Sequence, residues 1–105
     1  MVGDEIAMGP GKADLLDNIA KTGSIAAAGR AMGMSYKRAW DLVEQMNRSF
    51  TEKLVETSKG GAGRGGAVVT AFGEEVVRQY RSAVLTATRA ADEEAQKLLA
   101  LTKSD

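Results

Sequence analysis

Hydrophobic residues recur at spacings of three and four along most of this chain, which is the pattern of helices that bury one face. The first such segment covers residues 12–21 and has its predicted buried face at Leu15, Leu16, Ile19 and Ala20. Gly23 follows this segment and suits a left-handed C-terminal cap. Before it, Ile6 and Met8 alternate ahead of Gly9-Pro10-Gly11, which predicts a brief strand and then a turn.

Two further helices are predicted in the middle of the chain, with a short turn around Gly33-Met34-Ser35 between them. Ser24 is a favourable N-cap for an alanine-rich helix, and Ser35 is one for a helix from Tyr36 to about Phe50. The predicted buried positions are Ala28, Ala31 and Met32 in the former, and Ala39, Val43, Met46 and Phe50 in the latter, with Trp40 at its edge. Small side chains allow two helices to cross closely, so this region predicts a helix-turn-helix.

The pattern changes after residue 53, where short β-rich segments replace the helical spacing. Leu54–Thr57 and Ala67–Thr70 are predicted strands, and the glycine-rich, positively charged segment 59–66 between them predicts a β-hairpin with a long tip. Thr70 is a candidate N-cap for a last helix over residues 71–101. Its apolar seam is Val77, Tyr80, Val84, Ala87, Ala91, Leu98 and Leu101, and Glu94 interrupts that seam.

The last helix is too long for the domain that carries it. At 1.5 Å per residue it measures ~46 Å, whereas a compact domain of this size has a radius of gyration of ~13 Å. A seam without a partner in its own chain suggests pairing with a second copy. We therefore expect a homodimer that forms through this helix.

Composition agrees with one small, mainly α domain. The chain has 105 residues, of which 44% are hydrophobic and only 5% aromatic. We expect a mainly α fold with a small β-hairpin, in which residues 1–70 form a winged helix-turn-helix and residues 71–105 form the long dimerisation helix of the same structural unit. No apolar run is long enough for a membrane span and no signal segment is evident, so we expect a cytoplasmic protein.

The residue types that are missing narrow the chemistry. The chain contains no Cys and no His, which excludes disulfides, thiolate nucleophiles and iron–sulfur clusters and removes the commonest general base and transition-metal ligand. Gly61-x-Gly63-x-x-Gly66 matches a dinucleotide-binding pattern, but that pattern needs a helix after it, and the strand-like Val68-Val69 follows. We therefore expect that the protein is not an enzyme and that it binds neither a cofactor nor a metal.

Charge favours a nucleic-acid partner only locally. The 14 basic and 14 acidic residues cancel, but residues 34–66 hold six basic and four acidic groups. A helix fits the major groove of B-DNA with its first turn near the base edges. There Arg38 can pair with guanine O6 and N7, Lys37 with guanine or phosphate, and Ser35, Tyr36 and Gln45 offer further hydrogen bonds. The alternatives are a solvated charged face, with Ser35 serving only as a cap, and a hairpin tip that contacts nothing.

The segment Gly23–Val43, GSIAAAGRAMGMSYKRAWDLV, closely resembles the N-terminal winged helix-turn-helix of ModE-type molybdenum-responsive transcription regulators, which are related to LysR-type regulators. The resemblance continues through residues 54–56, the glycine-rich hairpin tip, which is the wing of that fold, and residues 69–74, and it covers roughly residues 6–85. Ala71 departs from it, since proline is usual at that first helical position. The resemblance implies DNA contact by Tyr36, Lys37 and Arg38, wing contacts by Lys59 and Arg64, and dimerisation through the long helix.

Members of that family also carry C-terminal domains that sense molybdate, and we expect here a stand-alone form without them. We interpret the chain as a homodimeric transcription regulator that binds a double-stranded DNA operator. Two alternatives stay open: a regulator that binds molybdate or tungstate at the amides of residues 60–66 or between subunits, and a protein-interaction module that has lost DNA binding. The residues that we assign to the DNA interface are Ser24, Ser35, Tyr36, Lys37, Arg38, Asp41, Gln45, Arg48, Lys59 and Arg64.

Overall fold

The computed structural model describes residues 7–59 and 65–103. It contains four helices and a two-stranded antiparallel sheet. In chain order the elements are α1 (Pro10–Thr22), α2 (Ile25–Ala31), α3 (Tyr36–Ser49), β1 (Val55–Lys59), β2 (Gly65–Val69) and α4 (Ala71–Leu99). This order confirms the predicted mainly α winged helix-turn-helix with a long last helix.

The turn predicted ahead of the first helix is wrong, because Gly9-Pro10-Gly11 belongs to the start of α1. Gly9 is the extended N-cap and Pro10 takes the first helical position. Proline is well suited there, since its missing N–H has no partner in the first turn and its φ is already helical. The strand predicted at Ile6 and Met8 is not found: Ile6 lies outside the described residues, and Met8 belongs to no helix or strand.

Polar caps fix where the other helices begin. The hydroxyl oxygens of Ser24, Ser35 and Thr70 accept hydrogen bonds from backbone N–H groups three residues ahead, at 3.1, 3.1 and 2.9 Å respectively. Gly23 ends α1 with φ of +70° and donates its N–H to the carbonyl oxygen of Ile19 at 2.7 Å. All four signals were predicted, because each depends only on neighbouring residues.

The core lies between α1, the α2–α3 pair, the hairpin and the first turns of α4. Its largest fully buried side chains are Leu15, Leu16, Ile19, Val43, Met46, Leu54 and Val55. Two predicted burials are wrong, since Ala20 and Ala31 are exposed. Ala20 lies in the last turn of α1, and Ala31 is the last residue of α2.

The hairpin reaches further toward its tip than predicted. Val55 pairs with Val69 and Lys59 with Gly65, while Leu54 precedes β1 and Thr70 follows β2. On its other edge β2 is attached to the turn after α1, because the Ala67 N–H donates to the carbonyl oxygen of Gly23 at 2.9 Å. The outer edge of the hairpin is therefore fixed to the domain through β2.

The long helix projects away from the domain. Val77 of α4 is buried, and Phe72, Val76 and Tyr80 pack against the core. All residues from 81 to 103 are exposed. The radius of gyration is 18.0 Å and the longest dimension is 67 Å, against the ~13 Å expected for a compact domain of this size. No helix in the described part of the chain combines the length and apolarity that a membrane crossing requires.

An ion pair fixes the point at which α4 leaves the domain. The Arg81 guanidinium donates to both carboxylate oxygens of Asp17 at 2.7 and 3.3 Å, and lies 3.4 Å from the carboxylate of Asp14. The hydrogen bond to Asp17 raises the pKa of Arg81 above its usual value. The three side chains are about half exposed, so the stabilisation is at most ~1 kcal/mol.

Gly73 of α4 is needed where α4 touches the chain before β1. A Cβ there would collide with the carbonyl oxygen of Leu54 and lie 3.0 Å from the Cγ1 of Val69. We expect Gly73→Ala to lower the free energy of unfolding by ~1–3 kcal/mol, measured by urea denaturation.

Gly11→Ala in α1 is the matched control, because no heavy atom lies within 4 Å of its added Cβ. We expect it to be neutral or to stabilise by up to ~1 kcal/mol, since alanine favours the helix. Equal stability of the two variants would contradict the close contact between α4 and Leu54.

Candidate nucleic-acid interface

The orientation of α3 is set by its close packing on α2. Gly29 of α2 is buried, and a Cβ there would lie 3.1 Å from the Cβ of Ala39 in α3. The turn between the helices passes through Gly33 at φ +69°, and the Met34 N–H donates to the carbonyl oxygen of Gly29 at 2.9 Å. Small residues at the crossing therefore hold the two helices at one short distance.

Because α3 packs through Ala39, Val43 and Met46, its opposite face is turned to solvent. That face forms a shallow groove of about 380 Å³ that is lined by Ser35, Lys37, Arg38, Asp41, Leu42, Gln45 and Arg48. Apart from Leu42, all of these were predicted interface residues. The structure thus brings the α3 part of the predicted site together on one surface, which we call the α3 groove.

The α3 groove is positively charged, with three cations and one carboxylate among its lining residues. The Lys37 Nζ lies 3.0 Å from an oxygen of Asp41, and both side chains are largely exposed, at 84% and 56%. Such an exposed pair, four residues apart on a helix, stabilises by only ~0.3–0.5 kcal/mol. A phosphate or a base can therefore replace it at little cost.

An aromatic pair flanks the cations at the start of α3. Tyr36 is 58% exposed, and its ring stacks on that of Trp40, with 6.4 Å between centroids and 24° between planes. Trp40 is half-buried against the core, as predicted. Packing on Trp40 holds the exposed Tyr36 ring beside Lys37.

The remaining predicted interface residues are not part of the α3 groove. Ser24 is half-buried at the start of α2, where its hydroxyl caps the helix. Lys59 ends β1, and Arg64 lies outside the described residues. Of the dinucleotide-like pattern, Gly61 and Gly63 also lie outside them, and Gly66 is within β2 rather than ahead of a helix.

Asn47 was missed in the sequence and connects α3 to the hairpin. Its Nδ2 donates to the carbonyl oxygen of Val55 at 3.1 Å, and its Oδ1 accepts from the N–H groups of Leu54 and Val55 at 2.8 and 3.2 Å. Asn47 lies four residues after the buried Val43 and is therefore close to the buried face of α3. A polar side chain in such a position usually has a hydrogen-bond partner, because burying it without one is costly. The sequence does not indicate which segment of the chain supplies that partner.

Comparison with known proteins gives one matching family and several relatives. Residues 12–74 match the lysR family model of bacterial regulatory helix-turn-helix proteins. Over 73 residues the chain is 45% identical to the molybdenum-pterin-binding protein MopB of Rhodobacter capsulatus, covering 70% of this chain and 27% of that protein. Over 71 residues it is 42% identical to the DNA-binding transcriptional dual regulator ModE of Escherichia coli K12, covering 68% and 27%. The chain thus spans about a quarter of these relatives.

Solved structures share the fold. A CbnR_DBD–DNA complex superposes with a TM-score of 0.61 at 19% identity, covering 87% of this chain and 99% of that chain. Full-length LysG from Corynebacterium glutamicum gives a TM-score of 0.55 at 24% identity, covering 87% and 30%. At these identities the likeness concerns the arrangement of helices and hairpin.

The Asn47 contacts make a prediction about stability. Asn47→Ala leaves three backbone groups near Leu54 and Val55 without their partner, so we expect the free energy of unfolding to fall by ~1–3 kcal/mol in urea. Asn18→Ala is the control, because Asn18 is also half-buried but bonds only within α1. If the two variants are equally stable, Asn47 does not attach the hairpin to α3.

Proposed function

Because this chain belongs to the lysR family of bacterial regulatory helix-turn-helix proteins, we propose that it is a transcription regulator that binds double-stranded DNA as a homodimer. Its role is binding in the cytoplasm, not catalysis. The observation that carries this proposal is the α3 groove, where cations and hydrogen-bonding side chains lie together on the solvent face of α3, with the exposed Tyr36 ring next to it in sequence. Residues 1–70 serve as the DNA-binding unit and residues 71–105 as the dimerisation helix.

Major-groove reading is assigned to the first turns of α3. The B-DNA major groove is ~12 Å wide and accepts one α-helix. Arg38 is exposed in the first turn of α3, and a guanidinium matches the two acceptors of guanine. Tyr36 and Gln45 contact neighbouring base edges, and Ser24 and Ser35 lie at helix starts, where backbone N–H groups favour phosphate.

Phosphate contacts surround the reading helix. Lys37 and Arg48 line the α3 groove at different levels of α3, and we assign the adjacent backbone to Lys59 and Arg64. These contacts position the protein without reading sequence, and they release counterions, so binding weakens steeply as salt rises.

A second copy of the chain covers the far half of α4. The seam has two parts: Val77 and Tyr80 pack on their own domain, whereas the later members are exposed. Large apolar side chains that face solvent are Val84, Leu85, Leu98 and Leu99 on α4 and Leu101 just after it. An exposed apolar stripe of this length is unfavourable in a monomer and favours a partner helix with the same stripe.

The seam favours an antiparallel pair. In a parallel pair in register, the Glu94 side chains of both copies would face each other at a core position, which like charges disfavour. In an antiparallel pair centred on Ala91, Val84 of one copy lies opposite Leu98 of the other, and Glu94 lies opposite Thr88 rather than a second Glu94. Two α3 helices held this way bind half-sites about one DNA turn apart or a multiple of it, ~34 Å.

Arg38→Ala tests base reading. We expect it to weaken binding to the preferred site by ~1–3 kcal/mol and to reduce discrimination between sites, measured by fluorescence anisotropy on duplexes selected from a randomised library. Arg89→Ala, an exposed arginine on α4, is the control and leaves discrimination unchanged. Equal losses on preferred and random duplexes would place Arg38 on phosphate.

Ala91→Glu tests the seam. A carboxylate at the centre of the helix pair has no partner charge, so we expect the dimer dissociation constant, measured by analytical ultracentrifugation, to rise at least ~10-fold. Thr86→Glu introduces the same side chain on the opposite side of α4 and leaves dimerisation unchanged. A dimer equally stable in both variants, or a monomeric parent protein, would contradict pairing through this face.

A further inference from the structure

Asp41 is out of place on a surface that binds a polyanion. It is the carboxylate among the lining residues of the α3 groove, whose charged members otherwise are Lys37, Arg38 and Arg48. Glu44, the next acid along α3, lines a different groove together with Trp40. A carboxylate that faces phosphates weakens binding to any duplex, unless it has a specific donor there.

Asp41 also restrains one of the cations. It accepts a hydrogen bond from the Lys37 Nζ at 3.0 Å, so the two side chains neutralise each other in the free protein. Both are exposed, which makes this pair easy to exchange. DNA offers a new partner to each side chain of this pair. Phosphate oxygens can accept hydrogen bonds from Lys37, and base amino groups can donate to Asp41.

We propose that Asp41 is a specificity-determining residue. On most DNA sequences it keeps the Lys37 ammonium in an ion pair and away from phosphate. Where a cytosine amino group replaces that ammonium as the donor to Asp41, Lys37 is released to bind phosphate. This inference rests on the proposed DNA-binding function. The chemistry favours cytosine, because carboxylates in the major groove accept from the N4 amino group of that base. On a duplex without cytosine at that position, Lys37 stays with Asp41 and the protein makes one phosphate contact fewer.

Asp41→Asn in the full chain tests the exchange on two duplexes, an alternating dA-dT duplex and a site selected by the parent protein. The amide cannot hold the Lys37 ammonium as an ion pair. We expect binding to the dA-dT duplex to tighten about 3–10-fold at 50 mM salt, and its log–log salt dependence to steepen by ~0.9, the value for one added phosphate contact. Adding Lys37→Met to Asp41→Asn removes that steepening.

The control is Glu93→Gln, which removes one negative charge from an exposed position on α4. The proposal also predicts that selection with Asp41→Asn changes the base at one position of each half-site from cytosine, toward adenine, which pairs well with an amide. It is overturned if Asp41→Asn behaves like Glu93→Gln on the dA-dT duplex, or if the selected site keeps every base. Failure of the parent protein to bind either duplex would instead overturn the proposed function.

Discussion

The backbone of Leu54 is the junction on which the rest of the structure depends. Its N–H donates to the side chain of Asn47 in α3 at 2.8 Å, and its carbonyl oxygen accepts the N–H of Thr70 at 2.9 Å. Gly73 of α4 packs against the same carbonyl. The backbone of a single buried residue therefore connects the helix assigned to DNA reading with the helix assigned to dimerisation. Any tilt of α4 relative to α3 has to break or bend these contacts.

Local signals predicted most of the fold, because they involve residues close in sequence. The caps at Ser24, Ser35 and Thr70 and the left-handed Gly23 were all found where expected. The start of α1 was missed because a Pro-Gly pair suits both a turn and a first helical turn. The role of Asn47 was missed because its partners lie seven and eight residues away, in a strand of unknown placement.

The candidate site likewise has features that the sequence predicted and features that it did not. Helical spacing alone predicted that Lys37, Arg38 and Arg48 share a face, and the α3 groove agrees. The ion pair of Lys37 with Asp41 was not predicted: a spacing of four residues allows it, but its formation depends on the rotamers of both side chains. The chain as a whole is neutral, so attraction to DNA depends on how these few charges are placed and paired. A neutral protein with a locally cationic groove gains selectivity because its non-specific attraction is weak.

In the proposed dimer, two α3 helices that are joined through paired α4 helices contact one face of a duplex together. Hydroxyl-radical footprinting of the full chain on its selected site tests this most directly, because it maps protected sugars along both strands. We expect two equivalent protected patches whose centres are separated by about 10–10.5 base pairs or a multiple of that length. A single patch, or uniform weak protection along the duplex, would contradict it.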